Sequence, residues 1–117
     1  MLEKDIEEVM QYYERFIDIL KQMSMDANKQ IAILQGTVVA DELASDFSDI
    51  GMLYAKKLLE SGWITKEQYI MAESIDRMLD EMSSKKELWT EEALFYAGEW
   101  KICRKQAGLL LDIICNY

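Results

Sequence analysis

Between Ala40 and Asp49 the chain reads ADELASDFSD, four carboxylates in ten residues. On a helix Glu42, Asp46 and Asp49 fall at i, i+4 and i+7, within about 60° of one another, with Asp41 on their flank. Glu73, Asp76 and Asp80 repeat the theme at i, i+3 and i+7. Oxygen ligands gathered in this way suit a hard divalent cation, and bare negative charge suits a basic protein partner. A third reading is two solvated helix faces. Like charges at these spacings repel by about 0.2–0.5 kcal/mol per pair, a cost that alternating Lys with Glu avoids.

Several chemistries are closed by composition. The 117 residues contain no histidine. Ser-His-Asp and Cys-His catalysis are therefore excluded, as is a Glu-x-x-His di-iron site. Zinc would have to come from two distant cysteines, and ASDFSDIG places its glycine wrongly for an EF-hand loop. No metal or other cofactor is expected. Thirteen basic against twenty-two acidic side chains leave a formal charge of −9, which repels phosphate backbones and anionic lipid, so nucleic acid and membrane are not the expected partners. The excess is spread over the whole chain and forms no acidic tail.

MLEKDIEE is acidic where a secretory signal needs a basic end and an apolar run. AGLLLDIIC is half a membrane span and is interrupted by Asp112. Cys103 and Cys115 lie twelve positions apart, about 18 Å along one helix, too far to bond to each other. They read as core thiols in a reducing, cytoplasmic setting.

Zero prolines and five glycines among abundant Leu, Met, Ala, Glu and Lys predict one all-α domain over residues 1–117. Apolar residues from Ile6 through Val9, Met10, Tyr13, Ile17 and Leu20 to Ala27, Ile31 and Leu34 keep one helical phase. They predict a long first helix over residues 4–35, with its weakest point at Ser24 to Asp26. Gly36 suits a C-terminal cap and Thr37 an N-cap for a second helix, whose core line is Leu43, Phe47, Ile50, Tyr54 and Leu58 up to Gly62. TKEQ, from Thr65 to Gln68, matches a capping box and starts a third helix that runs to about Met82 and buries Met71, Ile75, Met78, Leu79 and Met82. SSKKE is a loop, and Thr90 caps the fourth helix. Four antiparallel helices are the simplest arrangement.

The fourth helix carries two apolar stripes. Ala93, Ala97, Trp100, Ala107, Leu111 and Ile114 form one, and Phe95, Ile102, Leu109 and Ile113 the other, nearly opposite at about 100° per residue. Either the helix is sandwiched inside the bundle, the commoner use of such a surface, or the second stripe joins two chains as a homodimer. Tyr12, Phe16, Trp63, Trp89, Phe95 and Tyr117 are candidate partner anchors; Trp63 and Trp89, beside turns, equally suit the locking of helix ends.

Two resemblances follow from these stretches. Glu42, Asp46, Asp49, Glu73 and Asp76 loosely resemble the carboxylate pairs of magnesium-dependent, all-helical nucleotide pyrophosphohydrolases, although only Glu73-Ser74-Ile75-Asp76 has that family's ExxD spacing. The order ADELASDF, LLESGWITKEQ, IDRMLDEMS and WTEEAL followed by Trp100 resembles small acidic immunity proteins encoded beside bacterial polymorphic toxins. That likeness spans residues 40–107 and implies a non-enzymatic antidote that docks on a basic toxin domain. The residues expected to meet the partner, Asp41, Glu42, Asp46, Asp49, Glu73 and Asp76, are chosen by charge clustering alone.

Overall fold

The computed structural model describes residues 3–115, with side-chain surroundings from residue 6 onward; Tyr117 lies outside the described residues. The helices are α1 (Glu3–Ser24), α2 (Ala27–Ile33), α3 (Val39–Ser45), α4 (Met52–Glu60), α5 (Lys66–Met82), α6 (Glu91–Tyr96) and α7 (Gly98–Cys115). A π-helical turn, Asp46–Gly51, joins α3 to α4 without a gap, and a 3-10 turn, Lys86–Leu88, precedes α6. No strand occurs among the described residues. The all-α expectation holds, but six helical rods replace the expected four, because the first and last rods are each broken once.

The first break falls at the weak point of residues 24–26. Ser24 Oγ donates to the Lys21 carbonyl, and the Asp26 carboxylate accepts from Lys29 N at 3.0 Å as the N-cap of α2. Such local bonds compete with the helical ladder. Gln30, wholly buried, turns back and donates from Nε2 to the Gln22 and Met23 carbonyls at 3.1 and 3.0 Å. It thereby satisfies two acceptors that the end of α1 leaves free. The second break is at Ala97, whose φ of −72° and ψ of 131° are extended. Arg104 donates from Nη2 to the Leu94 carbonyl at the end of α6, and from Nε to Gln30 Oε1 at 3.3 Å. One half-buried guanidinium thus ties both breaks together, and burial draws its pKa down.

Helix ends elsewhere follow local chemistry. Thr65 and Gln68 make the reciprocal capping box, at 3.1 and 2.8 Å, and α5 runs from Lys66 to Met82 as expected. Thr90 Oγ1 accepts from Ala93 N at 3.0 Å. Gly36 and Gly62 take φ of +93° and +75°, left-handed turns that favour glycine. Thr37 is a correction: its hydroxyl donates back to the Leu34 carbonyl at 2.7 Å, and Val38 stands at the N-cap of α3 without a side-chain bond. The indole of Trp89 donates to the Met82 carbonyl at 2.9 Å and so closes α5.

One core unites the rods, with α7 against α1 and α5 and α4 against α1 and α5. Phe16, Leu20, Phe47, Leu58, Trp100 and Leu110 are fully enclosed there. The π turn changes which residues of the second rod enter it. Phe47, Gly51, Ala55 and Leu58 are buried, whereas Ile50 is 42 % exposed and Tyr54 only half-buried. The extra residue of the wider turn moves the core line from Ile50 to Gly51. Here a Cβ on Gly51 would stand 3.2 Å from Ile19 Cγ2 of α1.

Two further expectations are corrected. Ile6 and Met10 of α1 are exposed. Cys103 is buried, but Cys115 is exposed, so only one thiol belongs to the core. Cys103 Sγ sits 3.5 Å from Met78 Sδ, and burial pushes its pKa up to about 11, opposed by Arg104 and aided by Glu99.

Candidate functional site

The rod formed by α3, the π turn and α4 lies beside α5, and between them runs an open groove of about 620 Å³. Four carboxylates line it: Asp49 from the π turn, and Glu73, Asp76 and Asp80 from successive turns of α5. Tyr69 and Trp89 are the aromatic members of its wall, Met52 and Leu79 contribute apolar surface, and Ser45, Ser48 and Ser83 add hydroxyls. Asp41 borders an adjoining depression that shares Ala44, Ser45, Ser83 and Trp89 with the groove.

The two acidic stripes therefore merge only in part. Asp49, Glu73 and Asp76 meet in one groove and Asp41 stands beside it, but Glu42 and Asp46 do not line it. Asp46 faces α1, where Gln22 Nε2 donates to its Oδ2 at 2.9 Å. In an unbroken α-helix Asp46 and Asp49 would stand about 60° apart. The π turn, with fewer degrees per residue, opens that angle and places Asp49 toward α5, leaving Asp46 against α1. The local feature that spoils the ridge of Glu42, Asp46 and Asp49 is also the one that completes the groove.

Among the described residues none of the groove carboxylates is in an ion pair. The single ion pair among the described residues is Lys85–Glu99, at 3.6 Å, and neither partner lines the groove. Arg77 lies on the lining without pairing to a carboxylate within 4 Å. Tyr69 registers the resulting field: its pKa is raised first by desolvation and then by the charges of Glu73, Asp76 and Glu60. Anions near a phenol disfavour its ionisation. Among the described residues no three or more Asp, Glu or Cys side chains come close enough together to hold a metal ion, so the carboxylates line the groove as a distributed charge.

Sequence reasoning placed Asp80 in the acidic stripe and Trp89 among the anchor candidates, but left out Tyr69 and Arg77. Asp80 was legible as i+4 from Asp76, and Tyr69 as i−4 from Glu73. Arg77 was legible as the next step from Glu73 on the same helix. Trp89 was readable as an anchor candidate or as a lock beside a turn; its place beside the groove depends on the chain folding back over the end of α5.

The remaining anchor candidates divide clearly. Phe16 is fully buried and belongs to the core. Tyr12 stacks on Tyr54 at 5.4 Å beneath the Lys57 ammonium. Trp63 leans on Tyr13 at 5.8 Å, and Phe95 rests on Tyr96 at 6.1 Å. Compared with protein-family models, curated proteins and solved structures, the chain matches none.

Proposed function

We propose that the protein is a non-enzymatic binding domain that receives a basic protein partner in the groove between its second rod and α5. The observation that carries this reading is that four carboxylates from two rods converge on one open cleft and, among the described residues, none of them is in an ion pair. Long-range attraction to such a cleft accelerates encounter with a positive partner, while contact with apolar and aromatic wall residues sets how long it stays. Tyr69 and Trp89 are the wall residues suited to that second role, because rigid rings give large contact area at low entropic cost. Three α5 charges and one π-turn charge spaced along the cleft fit a partner helix or loop bearing several Arg or Lys side chains. The likeness to immunity proteins makes a basic toxin domain the partner class, with the groove carboxylates standing in for the phosphates that a nuclease would otherwise grip.

Amide NMR with an arginine-rich peptide at low and high salt tests the site itself. Shifts concentrated at Asp49, Tyr69, Glu73, Asp76 and the Trp89 indole, and fading with salt, are expected. Shifts spread evenly onto the α1 carboxylates Glu7, Glu14 and Asp18 would refute a dedicated groove. The partner class is tested by co-expressing the chain with the product of the adjacent gene. Growth should be rescued by the native chain and lost with Asp49→Lys/Asp76→Lys.

A further inference from the structure

The outer face of α7 carries an apolar line that the core does not use. Ile102, Leu109 and Ile113 are 48 %, 45 % and 40 % exposed, so the sandwiched arrangement expected for this helix is corrected. Phe95 leaves the line, because the extended Ala97 breaks the helical phase between α6 and α7. At about 100° per residue the three side chains fall within a narrow sector, and Lys101, Lys105 and Asp112 lie along one flank of it.

Glu99 in the first turn complements the helix dipole, but two charges of this flank are placed against it. Lys101 sits in the first turn, near the positive end, and Asp112 in the last turn, near the negative end. None of the three forms an ion pair among the described residues, where Lys85–Glu99 is the only one. A helix serving only its own monomer would gain from the reverse order. An antiparallel copy of the same helix reverses the order across the contact, and its dipole opposes the first favourably.

From this complementarity we propose that the outer face of α7 docks a second copy of the chain, with the two α7 helices antiparallel about a dyad near Leu109. In an antiparallel pair each flank meets the same flank of its counterpart, running the other way. Lys105 then faces Asp112 of the second copy, Ile102 faces Ile113, and Leu109 meets its own equivalent. The three pairings share nearly one centre, at residues 107–109, as a single two-fold axis requires. A parallel two-fold pairing would instead set this flank against the opposite one, which carries Glu99 and Gln106, and would leave Asp112 of each copy away from Lys105 of the other. The face carries two Lys and one Asp, so it also avoids the repulsion that would separate two copies meeting through the acidic groove of a chain of charge −9. This contact is distinct from the groove and leaves the groove open.

Sedimentation of the full chain at low salt, from about 1 to about 500 µM, reads the self-association directly. A mass rising toward the dimer is expected; a monomer throughout overturns the proposal. Each dimer holds two Lys105–Asp112 contacts, so Lys105→Asp alone, or Asp112→Lys alone, should weaken association by roughly tenfold or more. The combined Lys105→Asp/Asp112→Lys chain should recover to within about threefold of the native value, a double-mutant test of the antiparallel sense. Leu109→Lys should leave the helical circular dichroism intact and abolish the dimer. A dimer indifferent to Leu109→Lys removes the contact from α7, and single variants that weaken it without recovery in the double chain overturn the antiparallel geometry.

Discussion

The groove and the outer face of α7 are both exposed helical surfaces, and they are charged in opposite styles. In the groove negative charge accumulates from two rods, Asp49 on one side and Glu73, Asp76 and Asp80 on the other, against the single lining cation Arg77, and among the described residues none of the four carboxylates is in an ion pair. On the outer flank of α7 both signs lie on one helix, with Lys101 and Asp112 each at the end that its dipole disfavours. A surface of one sign is complementary to something else; a surface whose charges become complementary on reversal is complementary to itself. Net charge alone, −9 for the whole chain, would have assigned both surfaces the same role.

That contrast can be broken most forcefully at the groove. Replacing Asp49 and Asp76 by Lys should slow association with an arginine-rich peptide by about 10- to 100-fold at low salt, with a flattened salt dependence, as measured by stopped-flow. The Lys105→Asp variant on α7 should leave that rate within about twofold. Equal effects from both variants would mean that the peptide senses only total charge.

The next effect concerns the core that joins the two regions. Cys103 has its thiol pKa raised by burial to about 11 from an ordinary 9. A raised folded-state pKa gives stability that is full below about pH 9 and is lost as pH climbs through about 11. The loss amounts to about 2–3 kcal/mol at most. Urea unfolding at stepped pH should show this decline, and Cys103→Ala should flatten it. At neutral pH a thiol reagent should label Cys115 promptly and Cys103 only as the chain opens.

A smaller effect sharpens the electrostatic description of the groove. Tyr69 ionises late because of desolvation and of Glu73, Asp76 and Glu60. Glu73→Gln/Asp76→Asn should therefore bring its ionisation down in an NMR titration of the ring, while Tyr13, raised mainly by burial, should keep its value. The smallest effect belongs to α7: Asp112→Lys removes an acid from a helix C-terminus and should raise the melting temperature of the dilute monomer by roughly 2–4 °C. The same change that steadies one copy would weaken the contact between two.

How much of this was legible in the sequence depends on how far apart the deciding atoms lie. The Thr65–Gln68 box, the Thr90 cap, α5 and the left-handed turns at Gly36 and Gly62 are each decided by residues a few positions apart, and all were readable. The break at Ala97 involves Arg104 reaching both Leu94 and the distant Gln30, so a single fourth helix was the natural expectation. The π turn is similar, since Gly51 entering the core means meeting Ile19 of α1. Half of the acidic grouping, Asp49, Glu73 and Asp76, consequently lines one groove: Glu73 and Asp76 share a regular helix, whereas Glu42, Asp46 and Asp49 straddle the irregular turn that parts them. The two stripes of α7 were visible from spacing, but which one would meet solvent depended on where α1 and α5 lie.

The π turn leaves the second rod one residue longer than a regular α-helix would need between its ends. Deleting Ile50, which is exposed, would let Phe47, Gly51, Ala55 and Leu58 keep their places at regular α spacing while returning Asp49 to the side of Asp46. The shortened chain would have an equally sound interior and a cleft with one anion fewer. The negative charge of the cleft on this scaffold is thus adjustable by a gain or loss of one codon, without any substitution in the core.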